Sequence, residues 1–348
     1  MRVTPLGGAL FVAGVLCGAG LTRLEPQLAG LAAAAPPGVA QPPGAKSASG
    51  GGGGGQPRAK PAAAADMRTL VFGAHGAKGA EGTVLVVSPM RDRKHALERY
   101  FRLLDGLSYP RHLISLAIIE GDSKDGTFAA LQERFRHSTL GLRRVTLIKQ
   151  DTAYQIDRFQ RHKHNVQGPR RSHLGKVRNW LTQSSLIDEE WVMWMDADLW
   201  SYPQNLVQSL LASKKRLVVP HVVGECKNKG SCNTFDLNSW QETAKSRAMQ
   251  KKIPRDQLLF EGYHSPTHRK HMSHLRRECD PKLGETCLAK LDGVGGGIIL
   301  VKADLHRDGL VFPTFAFQHA IETEGYAKFA LAMGVQPWGM PKLEVIHK

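Results

Sequence analysis

An α/β fold built on a parallel sheet is what this sequence predicts, and three observations predict it. Short apolar, β-branched runs of strand length recur from Thr83 onward. Segments whose apolar residues repeat at helical spacing lie between them. The 348 residues are 42% hydrophobic, which supports a packed core and excludes a wholly disordered chain. Strands buried on both faces read as continuous apolar runs, and their alternation with helices marks a sheet covered on both sides.

Thr83–Met90 (TVLVVSPM) is the first such strand. His95–Leu107 follows as a helix, with Leu97, Tyr100, Phe101, Leu104 and Leu107 on one face and Gly106 and Pro110 as stop signals. Leu113–Glu120 is the second strand, and Thr127 is read as the N-cap of a helix carrying Phe128, Leu131 and Phe135. Val145–Lys149 is a strand, Leu174–Leu186 a helix and Trp191–Met195 a strand. A short helix at Asn205–Ala212 leads into Leu217–Val223, and Ile298–Val301 and the helix Tyr326–Met333 close the pattern. No internal repeat is visible.

Ahead of this block lie two different compositions. Val3–Leu21 carries no charge and is just long enough to span a hydrocarbon core about 30 Å thick. A retained signal anchor is the favoured reading, and a signal peptide cleaved after Gly20 is the alternative. Residues 26–66 are rich in Pro, Gly and Ala and cannot offset ordering entropy, so they read as a flexible stem reaching roughly 35 Å. The expected division is therefore an anchor with its flanks at 1–25, a stem at 26–66 and a luminal domain at 67–348.

The formal charge of +16 is local: residues 1–65 contribute +4 and the acid-free run Arg158–Arg178 contributes +7. A nucleic-acid binder would spread its basic footprint over a face, so that class is set aside. Of the five cysteines, Cys226/Cys232 and Cys279/Cys287 lie in polar, loop-like stretches and are read as two disulfides, most simply within each pair. Neither spacing fits the common zinc modules.

In parallel α/β sheets ligands bind beyond the carboxyl ends of the strands. The strand WVMWM runs directly into Asp196-Ala197-Asp198. Carboxylates at i and i+2 on an extended segment point to one side, and they are hard ligands for Mn²⁺ or Mg²⁺ holding a diphosphate. A surface turn with two solvated aspartates is the bland reading, which the preceding buried strand disfavours. Glu120–Thr127 (EGDSKDGT) ends another strand: its acids, Asp122 among them, suit ribose or base recognition, or simply a turn. In the basic run, Arg170, Arg171, Lys176 and Arg178 suit phosphates, against a solvated loop as the alternative. Arg178 and Asn179, on the helix before the Asp-x-Asp strand, are the better placed. Leu291–Gly297 (LDGVGGG) precedes a strand, so it is read as a tight turn where backbone approaches a sugar, with Asp292 open to a hydroxyl. Glu322 and Glu324 favour a helix N-terminus, or serve the site.

Together the stretches VLVVSPMRD, RYFRLLDGLSYPRHLISL, RNWL, WVMWMDADLWSYPQNLVQSLL, FDLNSW, LLFEGY, LDGVGGGIILVKADLHRDGLVFP and AIETEGYAKFA resemble the fungal Golgi mannosyltransferases of the mannan polymerase complexes, glycosyltransferase family 62 with a GT-A fold. The similarity runs from about Thr83 to His347. It implies a Rossmann-like nucleotide-binding half beside an acceptor-binding half, in a single-pass type II Golgi membrane protein with its catalytic domain in the lumen. The implied reaction moves mannose from GDP-mannose, with Mn²⁺ (or Mg²⁺), to a mannose-containing glycan or glycoprotein, with retention. On that pattern Asp196, Asp198 and His347 hold the metal, Asp122 and Arg178 serve the nucleotide with the Asp pair, and Asp292, Glu322 and Glu324 face sugar or acceptor. Lys176 departs from the Arg common in relatives, and the cysteine-bearing insertions and the basic stretch after Asp157 look foreign to them. Two other readings stand beside this one: a non-catalytic or priming subunit among other glycosyltransferase subunits, and a transferase for another sugar nucleotide.

Overall fold

In the computed structural model the first elements, in chain order, are β1 (Arg68–Phe72), β2 (Val84–Met90), α1 (Leu97–Asp105), β3 (Ile114–Glu120), α2 (Thr127–His137), β4 (Arg144–Lys149), α3 (His164–Ser185) and β5 (Trp191–Met195). Next come β6 (Leu199–Ser201), α4 (Leu206–Ala212), β7 (Leu217–Val223), β8 (Trp240–Gln241), α5 (Ala244–Gln250), β9 (Lys270–His271) and α6 (Met272–Glu278). The last are β10 (Ala289–Lys290), β11 (Ile298–Lys302), α7 (Ala303–Arg307), α8 (Glu322–Ala332) and β12 (Trp338–His347). The structure describes residues 68–73, 81–157, 159–224, 234–263 and 266–347. The expected anchor and stem (1–66), Arg158 and the Cys226/Cys232 pair lie outside the described residues. Among those described, no helix is long and apolar enough to cross a membrane.

The strands form a sheet in the order β1-β4-β3-β2-β5-β11-β7-β12-β10, with β6 paired to β12. Strands β4, β3, β2 and β5 are parallel, as expected. Elsewhere the directions are mixed: β11 runs antiparallel to β5 and β7, β1 is an antiparallel edge, and β12 runs parallel to β7. The expectation of a parallel sheet is corrected to a mixed one. Its cause is the glycine turn before β11. The Asp196 amide, at the end of β5, donates to the Gly297 carbonyl at 2.9 Å, so β11 starts where β5 stops and must run back along it, Ile298 opposite Met195.

Both faces of the sheet are covered, which is why its strands read as unbroken apolar runs. Val84, Val86, Met193 and Met195 point to one side, against Phe101 of α1, Leu131 and Phe135 of α2 and Leu206 of α4. Leu85, Val87, Val192 and Trp194 point to the other, against Leu181 of α3 and Tyr326 and Ala327 of α8. Several boundaries shift from expectation; α8, for one, begins at Glu322 rather than Tyr326. Gly126, at φ 80°, is the N-cap of α2, and Thr127 is its first helical residue. Helix α3 starts at His164, ten residues before the expected start, so much of the presumed basic loop is helix. Cys279 and Cys287 form a disulfide.

Candidate functional site

Asp196 and Asp198 stand beyond the end of β5, where the buried strand delivers them to the carboxyl edge of the sheet. The next strand, β6, pairs with the last residues of β12, His347 opposite Leu199. That pairing sets the His347 imidazole beside the carboxylate pair from 149 residues away: its Nε2 lies 3.0 Å from Asp198 Oδ1. A carboxylate oxygen only accepts, so Nε2–H donates. Arg93, in the loop after β2, donates Nη2 to the other oxygen, Oδ2, at 2.7 Å. Phe235 stacks on the imidazole, centroids 3.9 Å apart and planes 11° from parallel. Burial alone would raise the Asp198 carboxyl, but the His347 hydrogen bond and the Arg93 charge outweigh it and hold the group ionised well below its ordinary range. For Asp196, burial and the Asp198 charge win over Arg178 and push it up.

Arg178 is the hinge between this pair and α8. Its Nη2 is 3.4 Å from Asp196 Oδ1, its Nε donates to Glu322 Oε1 at 3.1 Å, and its guanidinium lies over Trp194 at 5.2 Å. The buried Nη1 has no hydrogen-bond partner among the described residues. Glu322 holds its backbone at φ 54°, a conformation that costs of order 1–3 kcal/mol and persists where surrounding structure imposes it. Glu324 is buried completely; it accepts from Arg171 and, at 2.8 Å, from Trp240 Nε1, and burial raises its carboxyl. Both glutamates thus do more than favour a helix start. Arg171 and Arg178 face inward along α3 rather than into solvent, which corrects the solvated-loop alternative.

The glycine turn also differs from expectation. A Cβ on Gly295 would lie 1.5 Å from Asp236 Oδ2, and one on Gly293 2.4 Å from the Trp240 ring. What approaches the backbone there is the chain's own Asp236 and Trp240, not open space for a sugar. Asp236 sits among Glu322, Glu324 and Arg171, and burial lifts its carboxyl above the ordinary range. Asp292 is directed elsewhere, its Oδ2 accepting the Glu242 amide at 2.7 Å. Asp122, beyond β3, binds the segment after β4 through Thr152 and Ala153. Arg93, Phe235 and Asp236 were not singled out from sequence; only the tight glycines signalled that something must come close, without saying what.

Among the described residues no three His, Cys, Asp or Glu side chains are gathered tightly enough to hold a metal ion as they stand. The donor chemistry nonetheless fits a divalent cation. Two carboxylates and an imidazole meet at one strand edge, and Asp196, raised by burial and by its neighbour's charge, is a group a cation would favour.

A family model described as Anp1 matches residues 63–316. The "Mannan polymerase complex subunit MNN9" of Candida albicans is 35% identical over 278 residues, covering 76% of this chain and 74% of the relative. The "Mannan polymerase II complex anp1 subunit" of Schizosaccharomyces pombe is 30% identical over 275 residues, and there the chain covers 63% of the relative's length. Among solved structures, a mannosyltransferase from Pyrobaculum calidifontis in complex with GDP-Man and Mn2+ aligns at 17% identity and a TM-score of 0.43, over 76% of this chain and 56% of that one.

Proposed function

The chain belongs to the Anp1 family, and from that premise we propose that it is a metal-dependent, retaining glycosyltransferase of GT-A type moving mannose from GDP-mannose to a mannose-containing glycan or glycoprotein. The observation that carries the reading is the meeting of Asp196, Asp198, His347, Arg93 and Arg178 at the carboxyl edge of the sheet. Asp196, Asp198 and His347 are the residues that would hold Mn²⁺, with Mg²⁺ as the alternative; when bound, the ion supplies Lewis-acid neutralisation of the departing diphosphate. Arg93 and Arg178 add fixed positive charge, and the unsatisfied Nη1 of Arg178 suits a phosphate oxygen, because a buried donor left unpaired costs about 1–3 kcal/mol.

Retention follows if the acceptor hydroxyl attacks from the face the diphosphate leaves. The anomeric carbon–oxygen bond to the phosphate breaks, the new glycosidic bond forms on the same side, and the acceptor proton passes to the leaving phosphate oxygen. No dedicated base is then required. The chain's part is to orient both partners and exclude water. On this reading Glu322, held by Arg178, and Asp236, against Gly295, would meet sugar hydroxyls, while Asp292, Glu324 and Asp122 would act through neighbouring residues.

The disulfide Cys279–Cys287 supports an oxidising compartment, in keeping with a luminal domain of a Golgi membrane protein tethered by residues 1–25. We expect Asp198→Ala to lower Mn²⁺-dependent GDP release from GDP-mannose by roughly a hundredfold or more. Undiminished turnover in that variant would remove the metal assignment. The second reading, a subunit active only with partners, has its support in the relatives' printed names as complex subunits. Transfer by the purified chain alone decides against it; transfer only after a partner is added decides for it.

A further inference from the structure

Asp122 was expected at the nucleotide, yet its oxygens are already spoken for. Oδ1 accepts the Ala153 amide at 3.0 Å, and Oδ2 accepts the Thr152 hydroxyl at 2.6 Å and the Thr152 amide at 3.1 Å. Its own amide donates to Asp151 Oδ1 at 2.6 Å. Asp122 holds φ at 57°, a left-handed conformation that Asp tolerates better than most residues and that turns its carboxylate across to the neighbouring strand end. Gly121 permits the approach, since a Cβ there would lie 2.1 Å from the Gln150 carbonyl oxygen. The ends of β3 and β4 are thus stitched together just past their last paired residues, Glu120 and Lys149.

What the stitch holds is an aromatic pair. Tyr154, two residues past Thr152, lies on His173 of α3 with centroids 4.2 Å apart and planes 12° from parallel. The Tyr154 carbonyl accepts from Arg91 Nη1 at 2.8 Å, and Arg91 is two residues from Arg93, which grips Asp198. His173 is five residues before Arg178 on the same helix. The pair is therefore joined through short chain segments to both arginines of the candidate site. A flat, half-buried aromatic surface beside fixed positive charge suits a planar heterocycle that carries phosphates.

We propose that Asp122 is a positioning residue: with Thr152 it clamps segment 151–154 onto α3, so that Tyr154 and His173 form the wall on which the base of the donor nucleotide is seated. This rests on the reading of the chain as a nucleotide-sugar transferase. The clamp presents this stacking surface without the Asp122 carboxylate touching the nucleotide.

The test uses the full-length chain and five forms: wild type, Asp122→Asn, Thr152→Val, the double variant and Tyr154→Ala. GDP and UDP affinities are measured by calorimetry, and amide hydrogen exchange is followed over residues 151–157. Each single variant is expected to weaken GDP roughly tenfold, the loss of one charge-assisted hydrogen bond. The double variant should be no weaker than the worse single, as for two ends of one contact. GDP and UDP affinities should fall together, with faster exchange in segment 151–154; Tyr154→Ala should weaken both nucleotides in the same way. Weakened GDP binding with the segment still protected overturns the clamp and makes Asp122 a direct ligand. Faster exchange with unchanged nucleotide affinity reduces the contact to a purely structural one and overturns the wall. If the wild type binds neither nucleotide, the transferase reading itself fails and the wall falls with it, while the exchange data still judge the clamp.

Discussion

Arg178 shows how a single side chain organises this site: one fork touches Asp196 and Glu322 while its flat face lies over Trp194 and Phe312. Two acids of like charge would repel without it, and a lysine could not span both in a fixed plane. Gly295 works from the opposite side, by leaving room. A methyl group there would overlap Asp236 Oδ2, so Gly295→Ala must push that carboxylate away. We expect Gly295→Ala to cost about 1–3 kcal/mol by overpacking and to lower glycosyl transfer by more than its stability loss explains. Urea midpoints set beside transfer rates check this; wild-type rates in the folded variant would exclude Asp236 from the chemistry.

Helix α1 illustrates an element whose sequence and packing agree. Leu97, Tyr100, Phe101 and Leu104 repeat at helical spacing, and all four are buried against the sheet. Phe101 meets Phe135 edge-on at 5.5 Å and carries Arg134 over its ring at 4.1 Å. Phe101→Ala should therefore lower unfolding free energy by about 3–5 kcal/mol, read as a shift in denaturant midpoint, while nucleotide affinity of the folded variant stays unchanged. Helix α3 is the opposite case. Its inward stripe is Gln167, Arg171, Gly175, Arg178 and Thr182, polar residues and a glycine set against the chain's own acids and carbonyls. Apolar periodicity could not announce that helix before Leu174, because the face its first turns bury is held by ion pairs, and hydrophobic contact with the core enters only later, at Leu181.

Across the entire fold, stability should depend on pH through histidines buried in the neutral form. His221 is 2% exposed and His306 lies among Trp194 and Tyr326. Burial lowers both to about 4, with Arg276 and Arg307 respectively adding to the effect. His306 Nδ1–H donates to the Leu310 carbonyl at 3.0 Å and leaves Nε2 to accept from the Tyr326 hydroxyl at 3.2 Å, a pattern that needs the neutral ring. The unfolded histidines take up protons near pH 6.5, the folded ones only near 4. Between those values the unfolded state binds more protons, so stability falls as pH drops from 6.5 to 4 and is insensitive to these groups above that window. For His221 the loss amounts to about 3 kcal/mol when complete. Urea midpoints at pH 7.5 and 5 should differ in this direction, and His221→Gln should shrink the difference; an unchanged pH slope in that variant would assign the effect elsewhere.

Much of this architecture was legible from local pattern. The buried strands, the amphipathic helices and the Asp-x-Asp at the end of WVMWM each depend on residues within a few positions of one another, and periodicity reports such relations directly. The direction of β11 was not, because it is set by where a glycine turn begins against β5. Nor was the company the acids keep. His347 reaches Asp198 across 149 positions and Arg171 reaches Glu324 across 153. Asp236 reaches the glycines only when the sheet has closed. A string of residues carries each group's chemistry and its neighbours along the chain. Which charge faces which, and which acid is spent on bracing a loop as Asp122 is, follows from strand order and register, and those are settled by burial of the core as one body.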